Sequence, residues 1–177
     1  VAAIVAMVSA LQTIVSRNRK GTDALVLSVT QIHTGSADNI IPESGWFCAT
    51  VRTYDKAVQN MVEERCREIV SGIAAAMGVR AEVVFERGYP ATVNHEAETA
   101  FALSVAQEVS GDTGVCAPVM GAEDFSFMLE RRPGAYLFLG QGESAGLHHP
   151  RYDFNDAIAP VGASFFVRLV EQAQPRG

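Results

Sequence analysis

Cysteine and histidine, from which most transition-metal sites are built, are scarce in this chain, with three and four copies in 177 residues. Cys48, Cys66 and Cys116 are odd in number and far apart. That excludes a disulfide framework and a zinc knuckle and points to a reducing cytoplasm. There is no His-x-Asp, His-Glu-x-x-His or paired-cysteine spacing, so no self-contained zinc motif with its set of about three protein ligands can be read. Basic runs are also absent and the net charge is -6, which argues against nucleic acid or an anionic membrane as the main partner. The apolar opening, residues 1–8, lacks the basic start and cleavage site of a signal peptide. It soon meets Ser9, Gln12 and Arg17, too short and too polar a run to cross a membrane. Repeats, low-complexity tracts and Walker-type loops are missing, and Gly140-x-Gly142 is too weak a pattern for a nucleotide site.

A hydrophobic content of 48% with 19% charged residues describes a folded globular protein. Val1, Ile4, Val5, Val8, Leu11 and Val15 recur at helical spacing over residues 1–18. Residues 24–33 alternate as a half-buried strand, with Leu25, Leu27 and Val29 on one face. A polar loop leads to a second strand over 46–54, whose core face is Phe47, Ala49, Val51 and Thr53. Asp55 caps a predicted helix over 56–77 that Gly78 closes, and 79–87 reads as a third strand. This order is a split β-α-β-β-α-β unit without its first strand. An open sheet with an unpaired edge is awkward in an intact domain, so the pattern predicts a chain that begins inside a larger protein. Beyond the exit at 88–94, helices are predicted over 96–110, 124–130 and 157–173. A continuously apolar strand, covered on both faces, is predicted over 135–139.

The chemistry is concentrated near the C-terminus. His148 and His149 follow a glycine-rich loop and precede Pro150. Adjacent residues on an extended segment point in opposite directions, so the two do not bind one ion together; a ligand role for one of them and an ordinary packed or hydrogen-bonded role for both are open. Spacing does not choose between them. Glu123 and Asp124 stand at a predicted helix start, where acids complement the helix dipole or support an imidazole. Arg52 lies on the open face of its strand, placed either for solvent or for a bidentate grip on a carboxylate. Asn39 reads as a turn residue. His33 and His95 read as surface or hydrogen-bonded histidines, and the three cysteines as small core residues.

Seven segments stand in order along the chain: Ala10-Leu-Gln-Thr-Ile-Val-Ser-Arg17, Ser28-Val-Thr-Gln-Ile-His-Thr-Gly35, Asn39-Ile-Ile-Pro42, Thr50-Val-Arg-Thr53, Tyr89-Pro-Ala-Thr-Val-Asn94, Met120-Gly-Ala-Glu-Asp-Phe125 and Leu147-His-His-Pro-Arg-Tyr-Asp-Phe-Asn155. Together they resemble the M20 family of metallopeptidases, in its branch of hippurate, N-acyl-amino-acid and auxin-conjugate hydrolases. The resemblance implies an α/β catalytic domain with a two-metal site (Zn, Mn, Co or Ni) and an α+β, ferredoxin-like lid that mediates homodimerisation. Residues 1–88 resemble that lid without its first strand, and 89–177 the last part of the catalytic domain.

Carried over by position, the resemblance makes His148 the last metal ligand. Asn39, and Arg52 thirteen positions later, would hold the substrate carboxylate, and Gly121 would line the substrate pocket. The implied reaction is hydrolysis of an N-acyl or N-aroyl amino acid by water activated at the metals, with a glutamate as base. Neither that glutamate nor the family's other ligand motifs has a match here. The 177 residues alone are therefore expected to be inactive and to retain no metal. The alternative from a different class is a ferredoxin-like dimerisation or ligand-binding module that does no chemistry.

Overall fold

The computed structural model describes residues 1–174, in two compact units that divide between Ala91 and Thr92. In the first unit, helix α1 (Ala2–Thr13) runs into a π-helical turn, Ile14–Asn18. Near this junction the Thr13 hydroxyl donates back to the Ala10 carbonyl at 2.6 Å and the Ser16 hydroxyl to that of Gln12 at 3.3 Å. Such back-bonding competes with the regular ladder and loosens it. The Arg19 guanidinium then gathers the carbonyls of Val15 and Asp23, at 3.1 and 2.8 Å, and stops the helix. The inner face of α1 is Met7 and Leu11, continued by Ile14 of the turn, whereas Val1 and Val5 of the expected stripe are exposed. The segment is apolar on so many sides that periodicity alone does not select its buried face.

Strands β1 (Leu25–Thr34) and β2 (Gly45–Thr53) form an antiparallel two-stranded sheet, followed by α2 (Lys56–Met77). The Asp55 carboxylate accepts from the Ala57 N–H at 2.6 Å at the start of α2, and Gly78, at φ +65°, ends it in the left-handed conformation. Both termini follow the predicted signals. Val58, Val62, Cys66, Val70 and Ala74 line the buried stripe of α2. The first three pack with Leu11, Ile14, Leu25 and Leu27 into one core, with Phe47, Val51 and Phe85 against it.

The ladder runs in register from Leu25 opposite Thr53 to Val29 opposite Ala49, then slips, so that Gln31 opposes Cys48 and His33 opposes Trp46. One extra residue in a bulge reverses which face the following side chains take. Before the bulge the odd-numbered residues Leu25 and Leu27 point into the core. After it, His33 stands on the open face and its ring stacks on Trp46, with centroids 4.1 Å apart. Simple alternation from Leu25 would have put His33 inside.

Residues 79–87 are not a strand, contrary to the sequence expectation, because no ladder partner lies beside them among the described residues. The pattern itself was sound. Val83 and Phe85 pack on the core while Val84 is exposed, and the segment is fastened to α2 by side chains instead. Arg67 donates to the Val83 carbonyl at 2.8 Å, and Glu63 accepts from Arg67 at 2.9 Å and from Arg87 at 2.7 Å. Those two guanidinium groups, Arg67 first, hold the Glu63 carboxyl below its usual range.

The second unit contains α3 (Glu96–Ser110), α4 (Phe125–Leu129), a 3-10 turn (Asp156–Ile158) and α5 (Ala159–Ala173). Helices α3 and α5 pack together, with Arg168 paired to both Glu108 and Glu171. The strand expected at 135–139 does not form, and Phe138 and Leu139 are exposed rather than covered. Its backbone is paired from another direction. Asn94 Nδ2 donates to the Tyr136 carbonyl at 2.9 Å, and Asn94 Oδ1 accepts from the Tyr136 N–H at 2.8 Å. The His95 N–H donates to the Gly134 carbonyl at 3.0 Å, and its ring Nδ1 lies 3.2 Å from the Gly134 N–H. The Asn94 amide presents one N–H and its carbonyl oxygen to this peptide, as a strand residue does, and satisfies it in the same way. Among the described residues no helix is long and apolar enough to cross a membrane.

Candidate metal and substrate site

His148 lies in a loop whose two ends are tied by a single glutamine. The Gln141 side-chain oxygen accepts from the Asn155 N–H at 3.2 Å, the Asn155 amide donates to the Gln141 carbonyl at 3.1 Å, and the Gln141 amide reaches Ser144 at 2.8 Å. A compact surface loop with joined ends holds its tip in place without secondary structure. The sequence reading passed over Gln141, a neutral residue in no motif.

Within this loop two turns meet at His149. The His149 N–H donates to the Gly146 carbonyl at 3.1 Å, and the Tyr152 N–H donates to the His149 carbonyl at 2.9 Å. In the first turn His148 occupies the third position with φ +66°, the one non-glycine residue with positive φ among those described. That is the position where a type II turn favours glycine or asparagine. A left-handed non-glycine residue costs on the order of 1–3 kcal/mol and persists only where its surroundings impose it. In the second turn Pro150 takes the position that its fixed φ suits, and it biases His149 away from helical geometry.

The two imidazoles are differently employed. His149 Nδ1 accepts from the Arg151 N–H at 3.0 Å. The His148 ring is exposed and has no hydrogen-bond partner among the described residues. An accessible imidazole with both nitrogens uncommitted is a fitting donor for a divalent transition metal. The donor set does not close within this chain, however. Among the described residues no group of three or more His, Cys, Asp or Glu side chains is placed to hold an ion.

Gly121 is exposed in the irregular segment before α4, where a Cβ would meet only Val119 Cγ2, at 4.0 Å. Neither acid beside it caps the helix. Asp124 makes no side-chain capping bond, and Glu123 faces the Tyr136 phenol. Burial, and then the Glu123 carboxylate, push that phenol above its usual range. The segment is anchored by Ser126, fully buried, whose hydroxyl donates to the Glu123 carbonyl at 2.6 Å. Beside α4 lies an open groove of about 610 Å³ between Phe125, Met128, Leu129, Arg132 and Pro133. No sequence motif marked it.

Asn39 and Arg52 belong to the first unit. Asn39 is exposed in the turn between β1 and β2, and Arg52 is exposed on β2 opposite Val26, on the open face with Trp46. Seven strand residues, roughly 24 Å, separate Arg52 from Gly45 at the end that carries the Asn39 loop. The cysteine expectation fails in part. Cys66 is buried, and its thiol is pushed up by that burial, whereas Cys48 and Cys116 are exposed. Cys48 follows the parity of the open face, and Cys116 lies in irregular chain.

The family model described as Peptidase family M20/M25/M40 matches residues 2–172. The chain is 35% identical over 161 residues to an N-acetyl-L-cysteine deacetylase of Bacillus subtilis, covering 91% of this chain and 38% of that protein. It is 34% identical over 167 residues to a hippurate hydrolase of Campylobacter jejuni, covering 92% of this chain and 43% of that protein. It is 36% identical over 146 residues to thermostable carboxypeptidase 1 of Saccharolobus solfataricus, covering 81% and 37%. The crystal structure of a dinuclear metal binding peptidase of Bacillus subtilis superposes with a TM-score of 0.80 at 26% identity, covering 98% of this chain and 45% of that one. The chain thus spans less than half the length of these relatives.

Proposed function

Because the chain belongs to peptidase family M20/M25/M40, we propose that the protein hydrolyses the amide bond of N-acyl or N-aroyl amino acids with the help of divalent metal ions. The resemblance read from the seven sequence motifs and the mixed α/β fold agree with that membership. The observation that carries the functional reading is His148, a left-handed residue with an uncommitted ring in a tied loop. Backbone strain held at a metal-ligand candidate is what a functional position would show. The relatives support the substrate class. An N-acetyl amino acid deacetylase, a hippurate hydrolase and a carboxypeptidase all cleave an amide whose amine side bears a carboxylate.

In this reading His148 holds a metal through one ring nitrogen. The ions, when bound, supply Lewis acidity toward water and toward the scissile carbonyl. Arg52 presents a planar fork to the substrate carboxylate, and Asn39, at the other end of the same sheet, adds its side-chain amide donor to that group from the second copy of the homodimer. Gly121 keeps its loop free of a side chain where the acyl portion would approach. The general base is not assigned to any residue here. Residues 1–88 act as the ferredoxin-like lid and join two copies into a homodimer. The unpaired edge of β2 and the exposed Trp46 support that role. Imidazole suits more than one of the metals the resemblance implies, zinc and nickel among them, so the donor alone does not select the metal.

The test is hydrolysis by the full-length protein of N-acetyl and N-benzoyl amino acids, with and without a chelator. The same amides with a blocked carboxylate serve as controls. Chelator-sensitive turnover restricted to free carboxylates is expected. Turnover insensitive to chelation, or equal on blocked substrates, contradicts the reading.

A further inference from the structure

We infer that His149 is a positioning residue whose ring Nδ1, by accepting the Arg151 N–H, locks the double turn that presents His148. The inference rests on the proposed role of His148 as a ligand. His149 contributes to this turn pair at three points: its N–H closes the first turn on Gly146, its carbonyl closes the second on Tyr152, and its ring binds the peptide between Pro150 and Arg151. The first two bonds are available to any residue with a backbone. Only the third depends on the side chain, and it braces the second turn, which shares His149 with the first.

The chemistry needed is an acceptor at the δ position, two bonds beyond Cβ. That is the geometry by which asparagine and aspartate stabilise a turn by binding the backbone N–H two residues on. A His149 ring acting in this way uses Nδ1 as acceptor, which places the proton on Nε2 and fixes the tautomer. Without that bond the second turn loses its side-chain brace, and with it the fixed placement of His149, whose N–H closes the turn that imposes φ +66° on His148. The residue is then free to relax toward ordinary backbone geometry, carrying its ring away from the metal. The second histidine of the pair thus serves the first, which accounts for two adjacent imidazoles without asking both to bind one ion.

The experiment compares His149→Asn, His149→Gln, His149→Ala and His148→Ala in the full-length protein. It reads zinc affinity against a competing chelator and the backbone carbon shifts of residue 148 with histidine selectively labelled. Asparagine keeps an acceptor at the δ position, whereas glutamine moves it one bond further and alanine removes it. Expected are near wild-type affinity and an unshifted residue 148 for His149→Asn. A loss of about tenfold to a hundredfold is expected for His149→Gln and His149→Ala, as for other residues that orient a ligand, with residue 148 moved toward ordinary shifts. If His149→Ala binds zinc as the wild type does and leaves residue 148 in place, the inference is overturned while the ligand role of His148 stands. If His149→Asn loses metal as completely as His149→Ala while His148→Ala retains it, His149 is the ligand and the underlying reading falls as well.

Discussion

The Asn94 side chain pairs with the backbone of Tyr136 in both directions, donating at 2.9 Å and accepting at 2.8 Å, as one strand residue pairs with another. Removing it leaves both Tyr136 groups to water or to nothing. Asn94→Ala is expected to destabilise the second unit by about 1–2 kcal/mol, the range for a lost pair of partly solvated hydrogen bonds. Faster hydrogen exchange at the Tyr136 amide is the direct measure. Unchanged protection there would show that the pairing contributes nothing.

Gly45 offers a steric prediction. A Cβ at this position would stand 2.7 Å from Ile4 Cδ1, 2.7 Å from Thr34 Cβ and 2.8 Å from the His33 carbonyl oxygen. The isoleucine tip can turn aside, but the carbonyl belongs to the paired strand β1 and cannot. Gly45→Ala should cost roughly 1–3 kcal/mol, as overpacking does, and should weaken the His33–Trp46 stack beside it. Thermal unfolding with tryptophan fluorescence measures both, since the chain has a single tryptophan.

The Glu63 carboxyl, depressed by Arg67 and then Arg87, gives a signed pH dependence. Its folded pKa lies below the unfolded value. The stabilisation is therefore complete above the ordinary glutamate range and is lost as pH falls through the lowered folded value. Glu63→Gln should flatten this part of the acid limb of an unfolding profile and lower the protection of residues 83–87 at neutral pH. A variant with the wild-type acid limb would show that the two arginines do not act through Glu63.

The fold was legible where local signals are self-sufficient. Asp55 and Gly78 bracket α2 because a cap and a left-handed stop act within one turn of the helix. Residues 79–87 and 135–139 were misread because a strand exists only with a partner, and partners are not written in the segment itself. Val83 and Phe85 kept the alternation of a strand while side chains took over the pairing. The bulge between Val29 and Gln31 was equally hidden, and with it the face on which His33 stands. Asn39, Arg52, Gly121 and His148 were named as candidates through motif resemblance. Gln141 and the acceptor role of His149 were not, since neither leaves a pattern that spacing could show.

Arg52 tests the substrate side of the proposal. In the full-length protein Arg52→Ala should raise KM for free-carboxylate substrates and lower kcat/KM by roughly ten- to more than a hundredfold. That corresponds to the loss of a charge-assisted contact of about 1.5–3 kcal/mol. Blocked substrates should be insensitive to the change. Steady-state kinetics on matched acid and ester pairs decides the point, and an equal loss on both would remove Arg52 from carboxylate binding.

Residues 1–177 taken alone should bind zinc or manganese only weakly, since one imidazole neither chelates nor closes a coordination shell. Isothermal titration checks this, and stoichiometric sub-micromolar binding would contradict it.

Whether His148 is a metal ligand of a hydrolase is read from the metal content of purified full-length His148→Ala beside the wild type, with circular dichroism confirming the fold. The account predicts a folded variant that has lost bound metal and, with it, hydrolysis of N-acyl amino acids. A folded variant with wild-type metal content and turnover would contradict it.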